Sequence, residues 1–125
     1  MLFPKTFVKV VDNSGARYAR CLKILKTISA YGKKREGSVG DLILVSVRFC
    51  LPGKKVKKGS LYKALVIRTT YPIKRAIGDI SLMENAVILL DKKLQPLGTR
   101  LFGPVAKEVR VKRFSKLSTI ARFVV

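Results

Sequence analysis

Asp41-Leu42-Ile43-Leu44-Val45-Ser46-Val47-Arg48-Phe49 is a run of aliphatic and β-branched residues, broken soon afterwards by Pro52-Gly53. It is far shorter than the roughly 20 apolar residues needed to cross a bilayer. Its composition is that of a strand. A second clean run, Asn85-Ala86-Val87-Ile88-Leu89-Leu90, has the same character.

Working outward from residues 41–49, further segments read as strands. On the carboxy-terminal side, the basic loop Lys54-Lys55-Val56-Lys57-Lys58-Gly59 leads into Leu61–Thr70, a fourth strand. Gly78-Asp79 offers a turn, and residues 80–83 with 86–90 read as a last hairpin-like pair. On the amino-terminal side lies a basic, glycine-containing loop from Tyr31 to Gly40. Before it, residues 18–29 carry a cation at every third place; a helix competes there, but the bounding turns favour a second strand. Residues 6–11 form the first strand, ended by Asp12-Asn13-Ser14-Gly15, whose residue types accept turn geometry. Short strands divided by turn signals at this spacing indicate a closed all-β barrel or a sandwich.

The final third changes period. Gly103-Pro104 reads as a helix start, with proline where its missing N–H is not needed. Val105, Val109, Phe114, Leu117 and Ile120 then recur at helical spacing. Lys107, Arg110, Lys112, Arg113 and Lys116 fill the other side. One or two short helices are expected to close the chain, packed on the barrel by one face.

The charge bears on partners. The 125 residues hold 27 Lys+Arg against 7 Asp+Glu, a formal charge of +20, yet 48% are hydrophobic. A disordered basic tail lacks such apolar content, so this is a folded domain. A small domain this charged repels itself unless a polyanion neutralises it. Nucleic acid is the leading polyanion and an anionic membrane surface the second; affinity for nucleic acid would fall steeply with salt.

Catalysis finds little support. There is no His, the commonest general base and imidazole ligand. The acids Asp12, Glu36, Asp41, Asp79, Glu84, Asp91 and Glu108 are scattered, without metal-ligand spacing. Gly53–Gly59 fails the phosphate-loop pattern because Lys58 precedes Gly59. No enzyme activity, cofactor or metal is therefore expected. Cys21 and Cys50, in apolar surroundings and without a CxxC partner, read as free thiols of a reducing compartment. Met1-Leu2-Phe3-Pro4-Lys5 shows neither a secretory nor a transit pattern, so the chain either works where it is made or is seen without a presequence.

The basic loops Lys33-Lys34-Arg35 and Lys54-Lys55 with Lys57-Lys58 sit beside glycines, where backbone can approach a phosphate while side chains neutralise it. Arg17, Arg20, Lys23 and Lys26 are candidates for one charged strand surface. Tyr18, Tyr31, Tyr62 and Tyr71 are available for stacking on bases, although a strand-end tyrosine more often packs on the core.

Six blocks then occur in order: Asp12-Asn13-Ser14-Gly15-Ala16-Arg17; Val39-Gly40-Asp41; Lys55-Val56-Lys57-Lys58-Gly59; Lys63-Ala64-Leu65-Val66-Ile67-Arg68-Thr69; Glu84–Leu90; and Gln95-Pro96-Leu97-Gly98-Thr99-Arg100-Leu101-Phe102-Gly103-Pro104-Val105. Together they resemble the large-subunit ribosomal protein L-fourteen family in its bacterial or organellar form, collinearly from about Thr6 to Ala121. The resemblance implies one domain over residues 1–125. Its five-stranded β-barrel spans about 6–102, and its small helical part about 103–122. It implies a structural constituent that binds large-subunit rRNA, touches small-subunit rRNA at intersubunit bridges, and contacts proteins of the L-three and L-nineteen families. A ribosome-silencing factor docks on the same face in this family. Carried over by motif, Asn13, Ser14, Gly15, Arg17, Lys55, Lys57, Lys58 and Arg68 become RNA-contact candidates, joined by Arg20, Lys33, Lys34, Arg35 and Lys54 from the charge reading. Thr99, Arg100 and Lys116 become candidates for the subunit interface.

The departures point to an organellar, mitochondrial form over a bacterial or plastid one. Ile77-Gly78-Asp79 stands where the family has Asp-Gly, Leu82 replaces an aromatic, Ser29–Ser38 is longer and more basic, and Ala121-Arg122-Phe123 replaces Ala-Pro-Glu. The rival reading is a single-strand-binding barrel outside the ribosome, which would interleave aromatics with cations on one sheet face.

Overall fold

The computed structural model describes residues 2–26, 36–111, 117 and 120–125. In chain order its elements are β1 (Phe7–Val10), β2 (Ala16–Lys26), β3 (Leu42–Cys50), β4 (Leu61–Arg68), β5 (Ile73–Arg75), β6 (Gly78–Ile80), β7 (Ala86–Leu90), β8 (Pro104–Val105), α1 (Glu108–Val111) and β9 (Phe123–Val124). Strands β1-β2-β3-β4-β7 close into a barrel. The seam is the parallel pairing of β1 with β7, Lys9 opposite Ala86 and Val10 opposite Val87. The other barrel pairs are antiparallel. β2 reaches both neighbours because its register with β3 shifts repeatedly along its length. Such bulges add the bend and twist that closure of a small barrel requires.

Two apolar clusters explain which sequence runs alternate and which do not. Val8, Ala19, Cys21, Val45, Val47, Ala64, Val66, Val87 and Leu89 fill the barrel interior. Leu65, Ile67, Ala86, Ile88 and Leu90, from the opposite faces of β4 and β7, pack under Leu101, Val105, Val109 and Leu117 of the carboxy-terminal segment. β4 and β7 are therefore buried on both faces, which is why they read as near-continuous apolar runs. β1 alternates exposed and buried residues, because only its inner face is covered. Each fully buried aliphatic side chain contributes about 1.5–3 kcal/mol of transfer free energy. Cys21 is buried and Cys50 half-buried, both as free thiols. Burial pushes the Cys21 thiol up, against a weaker backbone hydrogen bond, so it stays protonated.

Three local expectations are corrected. Residues 80–83 do not pair with 86–90: β7 lies between β1 and β4, because a strand apolar on both faces belongs inside. The hairpin is β5–β6, with Arg75 opposite Gly78, so its turn is Ala76-Ile77 and not Gly78-Asp79. Pro104 starts no helix. It opens β8, which pairs in parallel with β9, and helix starts and edge strands equally tolerate a residue without N–H. The helix begins at Glu108, where Arg75 donates to both carboxylate oxygens at 2.8 and 2.9 Å. Partial burial works to raise the Glu108 carboxyl, but these bonds outweigh it and hold the group below its ordinary value. Leu117 and Ile120 pack on the second cluster. Phe114, Tyr31, Lys33, Lys34, Arg35 and Lys116 lie outside the described residues.

Candidate nucleic-acid interface

An open cleft of about 1320 Å³ lies beside the β1–β7 seam, with Lys9, Asn13, Gly15, Arg17, Lys54 and Arg68 among its lining residues. One wall is the turn after β1. Asp12 is buried, and its carboxylate accepts from the backbone N–H of Ser14 at 3.1 Å, from the Ser14 hydroxyl, and from Leu89 N–H at 3.1 Å. The turn is thereby tied to itself and to β7.

Asn13 faces the other way. Its Oδ1 accepts from the N–H groups of Thr99 (2.8 Å) and Arg100 (3.3 Å), and its Nδ2 donates to Thr99 Oγ1 at 2.9 Å. Thr99 and Arg100 are exposed, so this clamp sets the course of a surface segment. Gly15 has φ +105°, and a Cβ there would collide with the Lys54 side chain. The basic loop after β3 therefore seats directly on the turn, and Leu51 N–H donates to Gly15 O at 2.8 Å.

Arg68, at the end of β4, is only 4% exposed. Its guanidinium donates to Phe102 O at 2.8 Å, Pro104 O at 3.0 Å and Glu84 Oε1 at 2.7 Å. Gly103, with φ +80°, lies so close that any Cβ would meet the guanidinium. Arg68 and Phe102-Gly103-Pro104 are thus one hydrogen-bonded unit, where the sequence reading has Arg68 as an RNA-contact candidate and Pro104 as a helix start.

The loop Gly53–Gly59 is built differently. Val56 is buried in the barrel core, while Lys54, Lys55, Lys57 and Lys58 around it are exposed. Gly59 N–H donates to Val47 O at 2.8 Å and Val47 N–H to Ser60 O at 3.0 Å, closing the loop's base. One apolar anchor thus holds four cations in solvent.

No ion pair between described residues reaches these four lysines. Asp12, Asp41, Glu84, Asp91 and Glu108 all accept hydrogen bonds from the chain's own groups. Ion pairs between described residues engage Lys9, Arg68 and Arg75. The structure therefore brings Gly15, Arg17 and Lys54 to one cleft, with Lys55, Lys57 and Lys58 on the adjoining loop. Asn13 and Ser14 border it with their side chains bonded internally. Arg20 lies apart on the outer face of β2, its guanidinium 5.8 Å from the centroid of the Phe7 ring. Sequence reasoning overlooked Lys9, Phe7 and Phe49. The β1 alternation Phe7-Val8-Lys9-Val10 was a usable signal for the first two, but the strand register that sets them beside Tyr18 and Arg20 was not.

Among the described residues no group of three or more His, Cys, Asp or Glu gathers to hold a metal, and no helix is long and apolar enough to cross a membrane. A family model for ribosomal protein L14p/L23e matches residues 1–125.

Proposed function

The chain belongs to the L14p/L23e family and is a large-subunit ribosomal protein, and from that premise we propose that it is a non-catalytic constituent that binds large-subunit rRNA through the loop Gly53–Gly59 and the adjoining cleft. One observation carries this reading: Arg17, Lys54, Lys55, Lys57 and Lys58 stand in solvent around a turn whose own acid, Asp12, is buried and bonded to Ser14 and Leu89. The mechanism is positioning. Exposed cations neutralise phosphates of an already folded RNA, and the barrel fixes the distance between them.

The exposed segment at Thr99 and Arg100, held by Asn13, is the surface this reading assigns to small-subunit rRNA at an intersubunit bridge, and to a silencing factor where one exists. Neighbours of the L-three and L-nineteen families complete its surroundings. The sequence departures described above favour a mitochondrial ribosome.

Sedimentation of lysate from the source cells or organelles tests the proposal. The chain is expected in large-subunit fractions at low salt and to be released as salt rises. Its absence from those fractions at low salt would overturn the reading, and binding to free single strands alone would favour the rival.

A further inference from the structure

We infer that the exposed patch formed by Phe7, Tyr18 and Phe49 on β1, β2 and the end of β3 is a stacking platform for unpaired RNA bases, an inference that rests on the RNA-binding reading above. The carboxy-terminal segment covers the outer face of β4 and β7, and Leu42 at the start of β3 joins that cluster; Phe7, Tyr18 and, at the far end of β3, Phe49 stay exposed. Residues opposite one another on neighbouring strands share a face. Lys9 is opposite Tyr18 and Tyr18 is opposite Phe49, which makes one row across three strands. Phe7 is opposite Arg20, beside that row. Rings and cations therefore alternate on β1 and β2, Phe7 and Tyr18 against Arg20 and Lys9, and Phe49 of β3 adds a second ring beside Tyr18, with strands spaced about 4.8 Å apart.

These rings are not core residues. Phe7 is 58% exposed and Phe49 62%. Tyr18 and Phe49 meet edge to face, 6.3 Å between centroids at 85°, so the two rings form one aromatic pair at the surface. Arg20 lies half-buried against Phe7, 5.8 Å from its ring centroid. Lys9 reaches Glu84 at 3.2 Å at the margin of the patch, the acid nearest to it in these bonds.

Charge chooses the occupant. An apolar protein segment would match Phe7 and Phe49 but would bury Arg20 without an acceptor, which is costly. A single-stranded ribonucleotide supplies both partners: bases for the rings and phosphates for Arg20 and Lys9. Arg17, exposed in β2 next to Tyr18, connects the patch to the cleft and so to the lysine loop. A duplex leaving the loop could thus run out into unpaired nucleotides on this face.

The test uses the whole chain and two labelled RNAs, an oligouridylate of roughly 12 nucleotides, within the range a small barrel covers, and a fully paired hairpin. The double variant Tyr18→Leu, Phe49→Leu keeps apolar area but removes both rings. We expect its affinity for the oligouridylate to drop about tenfold or more, its salt dependence to stay unchanged, and its hairpin affinity to move less than twofold. Tyr18→Phe, which keeps a ring, should bind like the unmodified chain. An unaltered thermal melt shows that the barrel is intact. Equal losses for both RNAs, or no loss for oligouridylate, would overturn the inference. So would a double variant that binds oligouridylate normally yet drops out of large-subunit fractions, since the face would then seat a protein. Failure of the unmodified chain to sediment with large subunits would instead sink the ribosomal reading and leave the stacking result standing.

Discussion

The turn Asp12–Arg17, with Arg68 behind it, and the loop Gly53–Gly59 both combine glycine with polar or basic residues, and the structure uses them in opposite ways. In the first, buried Asp12 and Arg68 bond to Leu89, Phe102 and Pro104, and exposed Asn13 is tied to Thr99 and Arg100. In the second, a single apolar residue, Val56, is buried and the lysines stay outside. A buried cation with several acceptors is costly to remove because its partners lose their bonds in a dry setting. An exposed cation in a like-charged cluster is nearly irrelevant to stability and is available to a phosphate. Residue type alone does not separate the two; burial does.

The largest effect is expected at Arg68. Arg68→Ala leaves Phe102 O and Pro104 O without this donor and Glu84 with Lys9 alone, and should cost about 2–4 kcal/mol in urea unfolding. Arg68→Lys should recover little, since an ammonium cannot serve three acceptors in the guanidinium's planar arrangement. If Arg68→Ala unfolded at the normal urea midpoint but lost RNA affinity and salt slope, the contrast would collapse, and Arg68 would join the loop lysines as a contact residue.

How far the sequence revealed these differences depends on what each signal measures. Uninterrupted apolar runs at 42–45, 64–67 and 86–90 announced strands, because a strand buried on one or both faces has few compositional alternatives. The partners of those strands were not legible: Ala86–Leu90 read as half of a hairpin, and only closure of the barrel places it between β1 and β4. Pro104 was ambiguous for a physical reason, since a missing N–H is harmless both at a helix start and on an edge strand. The cations at Lys54, Lys55, Lys57 and Lys58 were legible because nothing in that loop could pair with them. Arg68 was not, because its main acceptors are backbone carbonyls 34 and 36 residues away, which any residue type supplies.

A middle-sized effect is expected at Asn13. Asn13→Ala removes two acceptor contacts and one donor contact to Thr99 and Arg100. Water can replace part of these at an exposed site, so the cost should be about 1 kcal/mol. Faster hydrogen exchange at the Thr99 and Arg100 amides is the specific readout, since these N–H groups would lose their acceptor. Asn13→Asp keeps the acceptor and should retain most of that protection. Unchanged exchange in Asn13→Ala would show that the segment at Thr99 is held by something other than this side chain, and would move the boundary between wiring and contact surface.

The smallest effect on stability should accompany the largest change in RNA binding. Replacing Lys55, Lys57 and Lys58 with Ala removes exposed like charges and leaves Val56 in place, so stability should move by no more than about 0.5 kcal/mol. Binding should weaken for duplex and single strand alike. The slope of log affinity against log salt should become shallower by about 0.7–0.9 for each lysine that meets a phosphate, at most about 2–3 for all three. Val56→Ala makes the converse measurement: it leaves every cation in place and removes the anchor, so it should reduce stability by about 1 kcal/mol or more through the cavity it opens. If the lysine variant kept the full salt slope, this loop would not lie on the RNA. If instead Val56→Ala changed the slope as much as the lysine variant did, the position of the charges, and not only their number, would set how many phosphates they reach.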